Sequence, residues 1–288
     1  MRARMTAPMA IAPSARPEPR PWRPAPAVQI SIALHAAGAA ALAVAPGAWP
    51  WVLGGIVANH AALAGACFLP RSRVLGANLC RLPAPAARRN EVALTFDDGP
   101  DPEVTPRVLD GLDAAGMKAT FFLVGERAAR HSAVAREIVR RGHAVENHSH
   151  RHSKAFACYG IGRMRREVEA AQAAIADAVG TAPVFFRAPF GIRSPLLDPA
   201  LARCGLHYAS WTRRGFDTVA RDPARVLERL ARVVASGDIF LLHDGIVVGP
   251  RHAAAHAPAI LPALGARLAA LGLKSVTLRA ACACDDGA

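Results

Sequence analysis

The chain has 288 residues, enough for one large domain or two small ones, and a formal charge of +13 from 35 Lys+Arg against 22 Asp+Glu. The excess sits on flanks: residues 1–26 hold five Arg and one Glu, residues 71–90 hold five Arg and no acid, and only +4 remains for 91–288, which argues against a nucleic-acid partner. Six cysteines with no Cys-x-x-Cys pair argue against both a disulfide scaffold and a cysteine-based zinc site.

In chain order, residues 1–26 carry seven prolines and predict a disordered basic tail. Residues 27–70 contain no Asp, Glu, Lys or Arg, which leaves room for two spans of about 20 residues, the length that crosses a hydrocarbon core of about 30 Å. Pro46-Gly47-Ala48-Trp49-Pro50 divides the stretch into 28–45 and 51–69, and Trp49 and Trp51 suit a membrane interface. A two-helix membrane hairpin over 27–70 fits best. A signal peptide would have a shorter apolar core nearer the start, and a soluble Ala-rich helical pair is the plainer alternative. Arginines flank both outer ends, so the positive-inside preference places tail and downstream domain on the cytoplasmic side of the inner membrane; a single insertion with the rest exported is the other topology. Residues 71–87 read as a basic, Pro-containing linker.

After Asn90 the chain alternates. Strand-like runs fall at 92–96, 120–124, 144–146, 184–187, 207–211, 239–242 and 275–278. Helical spacing of apolar residues falls at 104–115, 132–141, 161–179, 195–204, 222–236 and 257–271. Seven strands with intervening helices argue an α/β fold with a parallel sheet, closed or nearly closed into a barrel whose chemistry sits at the carboxyl ends of the strands.

The reactive residues fall at those ends. Val92-Ala93-Leu94-Thr95-Phe96-Asp97-Asp98-Gly99-Pro100 is a buried strand that stops at Gly-Pro with two adjacent carboxylates. On its own this is as consistent with an Asx-type turn as with a catalytic pair. Asn147-His148-Ser149-His150-Arg151-His152 follows the third strand. A helical turn there would bring His148 and His152 to one side of a metal. With Asp98 they make a two-His, one-carboxylate set that leaves positions open for water and substrate, the pattern of a catalytic metal site. Ser149 is placed to fix the loop through its hydroxyl, and His150 is expected to face solvent. Arg187-Ala188-Pro189-Phe190-Gly191 ends the fourth strand, and Arg187 can hold the spare carboxylate Asp97 by charge pairing. Leu241-Leu242-His243-Asp244 ends a later apolar strand with a histidine beside an acid, which can raise its pKa.

These pieces, in this order, resemble the polysaccharide deacetylase family built on the NodB homology domain, carbohydrate esterase family 4. The motifs are Thr95–Pro100, His148–His152, Arg187–Gly191 and Leu241–His243, and the resemblance spans about residues 88–280. It implies an α/β fold: a distorted (β/α)7 barrel of the NodB type, here preceded by the helical membrane hairpin. It also implies that Asp98, His148 and His152 bind a divalent metal, usually zinc. Asp97 would be the general base, His243 the general acid and Arg187 the residue that orients Asp97. Leu241 would line an acetyl pocket and the Phe190 backbone N–H would face the oxyanion. The fourth family signature is altered to Trp211-Thr212-Arg213-Arg214-Gly215-Phe216-Asp217. Trp211 would still line the substrate groove and Asp217 would brace Arg187, while Arg213 and Arg214 would either shift the pKa of His243 or contact an anionic group on the substrate.

The expected activity is removal of N-acetyl groups from amino sugars of peptidoglycan, a chitin-like polymer or an exopolysaccharide. One alternative is deacetylation or deformylation of a lipid-linked amino sugar at the inner membrane. The other is a non-catalytic sugar-binding membrane protein, which the complete set of acid, base and metal positions disfavours. No nucleic-acid partner is expected.

Overall fold

The computed structural model describes residues 17–245 and 256–283. Two apolar helices come first, α1 (Pro26–Val44) and α2 (Trp49–Cys67), joined by a tight turn over Pro46–Ala48. The Trp-Pro pair that was expected to lie in the divider instead opens α2, where a proline in the first turn costs no hydrogen bond. Neither helix has a buried residue, and Ile30, Ile32, Val44, Trp49 and Trp51 are all exposed. At 19 residues each, they are about 28 Å long, which matches a hydrocarbon core by length and composition. The pair is tied by a hydrogen bond from Asn59 Nδ2 to Ser31 Oγ at 2.8 Å.

The domain that follows runs α3 (Ala84–Arg88), β1 (Glu91–Asp97), α4 (Val104–Ala114), β2 (Ala119–Leu123), α5 (Gly125–Arg130), α6 (Ser132–Arg140) and β3 (Ala144–Asn147). It continues α7 (Ile161–Val179), β4 (Phe185–Phe186), α8 (Leu197–Arg203), β5 (His207–Tyr208), β6 (Arg213–Arg214), α9 (Pro223–Ala231), β7 (Ile239–His243), α10 (His256–Ala270), β8 (Lys274–Ser275) and α11 (Leu278–Cys282). All ladders are parallel and the order is β5-β4-β3-β2-β1-β7-β6, with β8 pairing the first residues of β1. Six of the seven expected strands lie within their expected stretches or within a residue of them, while the one expected at 275–278 is the two-residue β8 at Lys274–Ser275, with Leu278 already opening α11. β6 is an eighth, which carries no apolar run and is held by its pairing with β7. Among the described residues no ladder joins β5 to β6, so the sheet is a curled half-barrel that stays open on that side.

Strand alternation sorts the side chains. Val92, Leu94 and Phe96 of β1 and Phe240 and Leu242 of β7 join the large apolar core under α4, α6, α7, α9 and α10. Ala93 of β1 and Ile239 and Leu241 of β7 pack on the inner face with Phe122 and Trp211. Burying each such Leu, Ile or Phe contributes about 1.5–3 kcal/mol. Continuing that period puts Thr95, Asp97 and His243 on the inner face, where β1 and β7 hold Asp97 opposite His243 in register.

Residues 17–25 and 71–87 are more ordered than their composition suggests, and residues 1–16 of the expected tail lie outside the described residues. Residues 17–25 of the basic tail lie along the domain: the Arg20 backbone N–H donates to Ala202 O at 2.7 Å, its guanidinium donates to Leu206 O, and Trp22 Nε1 donates to Asp198 at 3.0 Å. Residues 71–87 run beside β5, bridged at Leu79–Ala209, with Leu75, Leu82 and Ala86 buried. Apolar residues spaced along an otherwise basic stretch give it a face to bury.

Candidate active site

Neighbouring residues on a strand face opposite sides, so Asp97 and Asp98 would diverge if β1 simply continued. It does not. Asp98 takes φ +76°, a left-handed turn that aspartate tolerates better than most residues, and both carboxylates reach one cleft. Asp97 Oδ1 accepts from Arg187 Nη1 at 2.7 Å. Arg187 is fully buried and spends its other donors on Thr95 Oγ1 at 2.7 Å, Ser210 O at 2.9 Å and Ala209 O at 3.3 Å, with its guanidinium over the Phe122 ring. That leaves Asp97 Oδ2 toward the cleft, 3.8 Å from His148 Nε2.

His148 is oriented from behind: its Nδ1 lies 2.9 Å from Arg187 O, so Nε2 points at Asp98 Oδ1, 3.4 Å away. His152 Nε2 is 3.2 Å from the same oxygen, and the two imidazole rings are 4.8 Å apart. The route differs from the expected helical turn. Residues 148–152 form a loop with φ +67° at Ser149 and +51° at His152, and the Ser149 hydroxyl accepts from the His152 backbone N–H at 3.1 Å. His150 does not simply face solvent. It is half-buried with Nδ1 enclosed, because the loop folds back over Gly125, where a Cβ would come within 2.6 Å of that nitrogen.

The three donor atoms of Asp98, His148 and His152 lie within 4.8 Å of one another, and all three residues are buried. Two ligands at about 2.0–2.1 Å from a shared tetrahedral ion stand about 3.3 Å apart, which matches the 3.4 and 3.2 Å separations. The charges agree. Burial, together with neighbouring His148, pushes His152 down to about 4, so it is neutral with a lone pair to donate. Burial works against ionising Asp98, but the His148 hydrogen bond and the nearby His243 and His152 hold its carboxyl well below the usual range. An ionised carboxylate, a neutral His152 and the Nε2 of His148 turned toward them fit a divalent cation of the zinc class.

His243 closes the cleft from the other side. Its Nδ1 is 2.9 Å from Asp217 Oδ1 and its backbone N–H donates to Asp217 Oδ2 at 2.8 Å. Burial alone would lower its pKa, but Asp217, with Asp98 and Asp97 behind it, raises it to about 9. Two expectations are corrected here. Asp217 braces His243 rather than Arg187, because its loop stands on the β7 side of the cleft and Arg187 is committed to Asp97, Thr95 and the 209–210 carbonyls. The carboxylate that chiefly raises the pKa of His243 is Asp217 and not the adjacent Asp244.

Leu241 and Trp211 line the same cleft and are buried. Gly191 at φ +70° lets the Trp211 ring approach, since a Cβ there would lie 2.5 Å from Cη2. Phe190, at φ +59°, stands 42% exposed with its ring 4.8 Å from that of His152. Sequence reasoning left out Thr95 and Ser210, and gave Asp244 a different part, that of raising the His243 pKa. Asp244 sits directly after His243, buried against Gly99 and accepting from Thr105 at 2.6 Å, and burial pushes its carboxyl up to about 7. The place of Thr95 in a quoted motif was the available signal. A larger cavity of about 750 Å³ lies beside Phe185 and Tyr208. It gathers none of these groups, so size does not locate the site.

The chain is similar to known proteins in both sequence and structure. Residues 84–209 match the family described as polysaccharide deacetylase. A chitooligosaccharide deacetylase of Sinorhizobium fredii is 38% identical over 162 residues, 54% of this chain and 72% of that protein. A peptidoglycan-N-acetylglucosamine deacetylase of Bacillus cereus is 41% identical over 101 residues, 35% of this chain and 36% of that one. Among solved structures, a family 4 acetyl xylan esterase of Clostridium thermocellum in complex with a cobalt ion is similar with a TM-score of 0.60 and 34% identity. That likeness covers 66% of this chain and 89% of the other.

Proposed function

The chain belongs to the polysaccharide deacetylase family, and on that premise we propose that it is a metal-dependent hydrolase that removes N-acetyl groups from the amino sugars of a polysaccharide or glycoconjugate. The observation that carries this reading is the convergence of Asp98, His148 and His152, with Asp97 beside them and His243 opposite. Asp98, His148 and His152 would hold the ion, zinc in the first instance. Bound there, such a cation supplies Lewis acidity toward the acyl oxygen and lowers the pKa of water.

The protein's own residues do the rest. Asp97, fixed through Oδ1 by Arg187, presents Oδ2 to take a proton from the attacking water. The Phe190 backbone N–H donates to the developing oxyanion. Leu241 and Trp211 wall the acetyl methyl. His243 arrives protonated at neutral pH, and because Nδ1 is committed to Asp217, Nε2 gives its proton to the departing amine nitrogen. Asp217 acts through His243 as a positioning residue.

Residues 88–280 would form the catalytic unit and α1–α2 a hairpin anchor in the inner membrane. Two unburied apolar helices in the same chain favour a second reading, in which the substrate is a lipid-linked amino sugar at the membrane face. Release of acetate or formate by the full chain in detergent, from chitin oligomers, peptidoglycan and lipid-linked amino sugars, tests both. Acetate from the soluble polymers supports the first reading, release from the lipid-linked sugar alone supports the second, and release from none refutes hydrolysis.

A further inference from the structure

Resting on the deacetylase reading, we propose that Arg214 is a specificity residue that takes an anionic oxygen group, a carboxylate or a phosphate, carried by the substrate next to the scissile amide. The two adjacent arginines of β6 face opposite ways, as strand geometry requires. Arg213 is consumed structurally, its Nε 2.9 Å from the buried carboxylate of Asp238. Arg214 is paired with Leu241 across β6–β7 and lines the cleft with Asp97, Asp98 and His243.

Its environment is that of a guanidinium held ready for an acceptor. The group lies 5.6 Å from the Trp211 ring centroid and 4.7 Å from that of Phe216. Aromatic faces fix arginine without satisfying its N–H donors. Among the described residues Arg214 forms no ion pair and donates no hydrogen bond, and its Nε is buried without a partner. Four other arginines drawn into this domain differ: Arg187, Arg193, Arg213 and Arg279 each donate to a carboxylate. The nearby acids are committed elsewhere, Asp97 to Arg187 and Asp217 to His243. The stretch 246–255, which continues from the end of β7, contains no Asp or Glu.

A buried donor without an acceptor costs free energy that a ligand oxygen recovers. Through its planar fork, Arg214 selects a carboxylate or phosphate over a neutral hydroxyl.

The test uses the full chain in detergent, with an N-acetylglucosamine tetramer, its O-carboxymethyl derivative and its 6-O-phosphate as probes. For Arg214→Gln, the ratio of kcat/KM on either anionic tetramer to that on the neutral one should fall about tenfold, carried by KM. Arg214→Lys should keep part of the ratio, and the wild-type preference should weaken with added salt. The arm that responds more identifies carboxylate or phosphate. Calorimetric binding of the three probes is measured alongside, so that absent turnover counts against hydrolysis while binding still decides the role of Arg214. Equal effects of Arg214→Gln on all three probes, in binding or in kcat/KM, overturn the proposal.

Discussion

Buried carboxylates stand in two parts of this sheet and are satisfied in opposite ways. Toward the amino ends of β4 and β7, Glu146 accepts from the Val184 and Phe185 backbone N–H groups and from Arg279 at 2.6 Å. Asp238 there is held by Arg213 and Arg81, both at 2.9 Å. At the carboxyl ends, Asp98 faces two histidines whose nitrogens stand 3.2 and 3.4 Å off, and Asp97 gives only one oxygen to Arg187. Burial alone does not mark a functional acid. A carboxylate saturated by guanidinium and backbone donors holds strands together, whereas one grouped with imidazole nitrogens at ligand spacing has the geometry of a metal site.

The sharpest way to break this contrast is Asp97→Asn. Loss of the base should lower kcat by about 10²–10⁴-fold while metal content stays near wild type, with some loss of stability because the buried Arg187 guanidinium loses its counter-charge; a stability loss with kcat unchanged would place Asp97 with the structural carboxylates. The opposite substitution is Arg279→Met, which strands Glu146. Burial already raises the Glu146 pKa against the pull of Arg279, and without Arg279 it rises further. A raised carboxyl contributes stability below its unfolded pKa and loses it as pH rises through the folded one. The variant should therefore lose about 3 kcal/mol at neutral pH and less near pH 4, read by denaturant unfolding at both pH values, with metal affinity unchanged.

Asp217→Asn sharpens the carboxyl-end half. His243 holds its proton at neutral pH because Asp217 outweighs burial, and loses it as pH rises through about 9. Without that carboxylate the His243 pKa falls, so the alkaline limb of the kcat/KM profile should move to lower pH; an unmoved limb would remove His243 as the acid. The smallest effect belongs to Arg81→Ala. Arg81 is 48% exposed and shares Asp238 with Arg213, so its loss should change unfolding free energy by no more than about 1 kcal/mol.

Much of this was legible in the sequence because strands speak through local pattern. The apolar runs ending at Asp97 and His243 fixed both the elements and, by alternation, the face each side chain takes. What was not legible depends on contacts distant in sequence. Nothing local in Arg213-Arg214 announces a strand, since β6 exists only through β7. The four-residue spacing of His148 and His152 suggested a helical turn, but a loop with two left-handed residues achieves the convergence. Asp217 was matched to the wrong partner because its choice between Arg187 and His243 is made by which side of the cleft its loop crosses.

The most direct test is the metal content of the purified full chain beside that of a His148→Ala/His152→Ala double variant. Close to one equivalent of zinc-class metal in the wild type, with metal and acetate release both lost in the variant, is the predicted result. Unchanged metal affinity in the variant, or full acetate release by rigorously metal-free wild type, would contradict it.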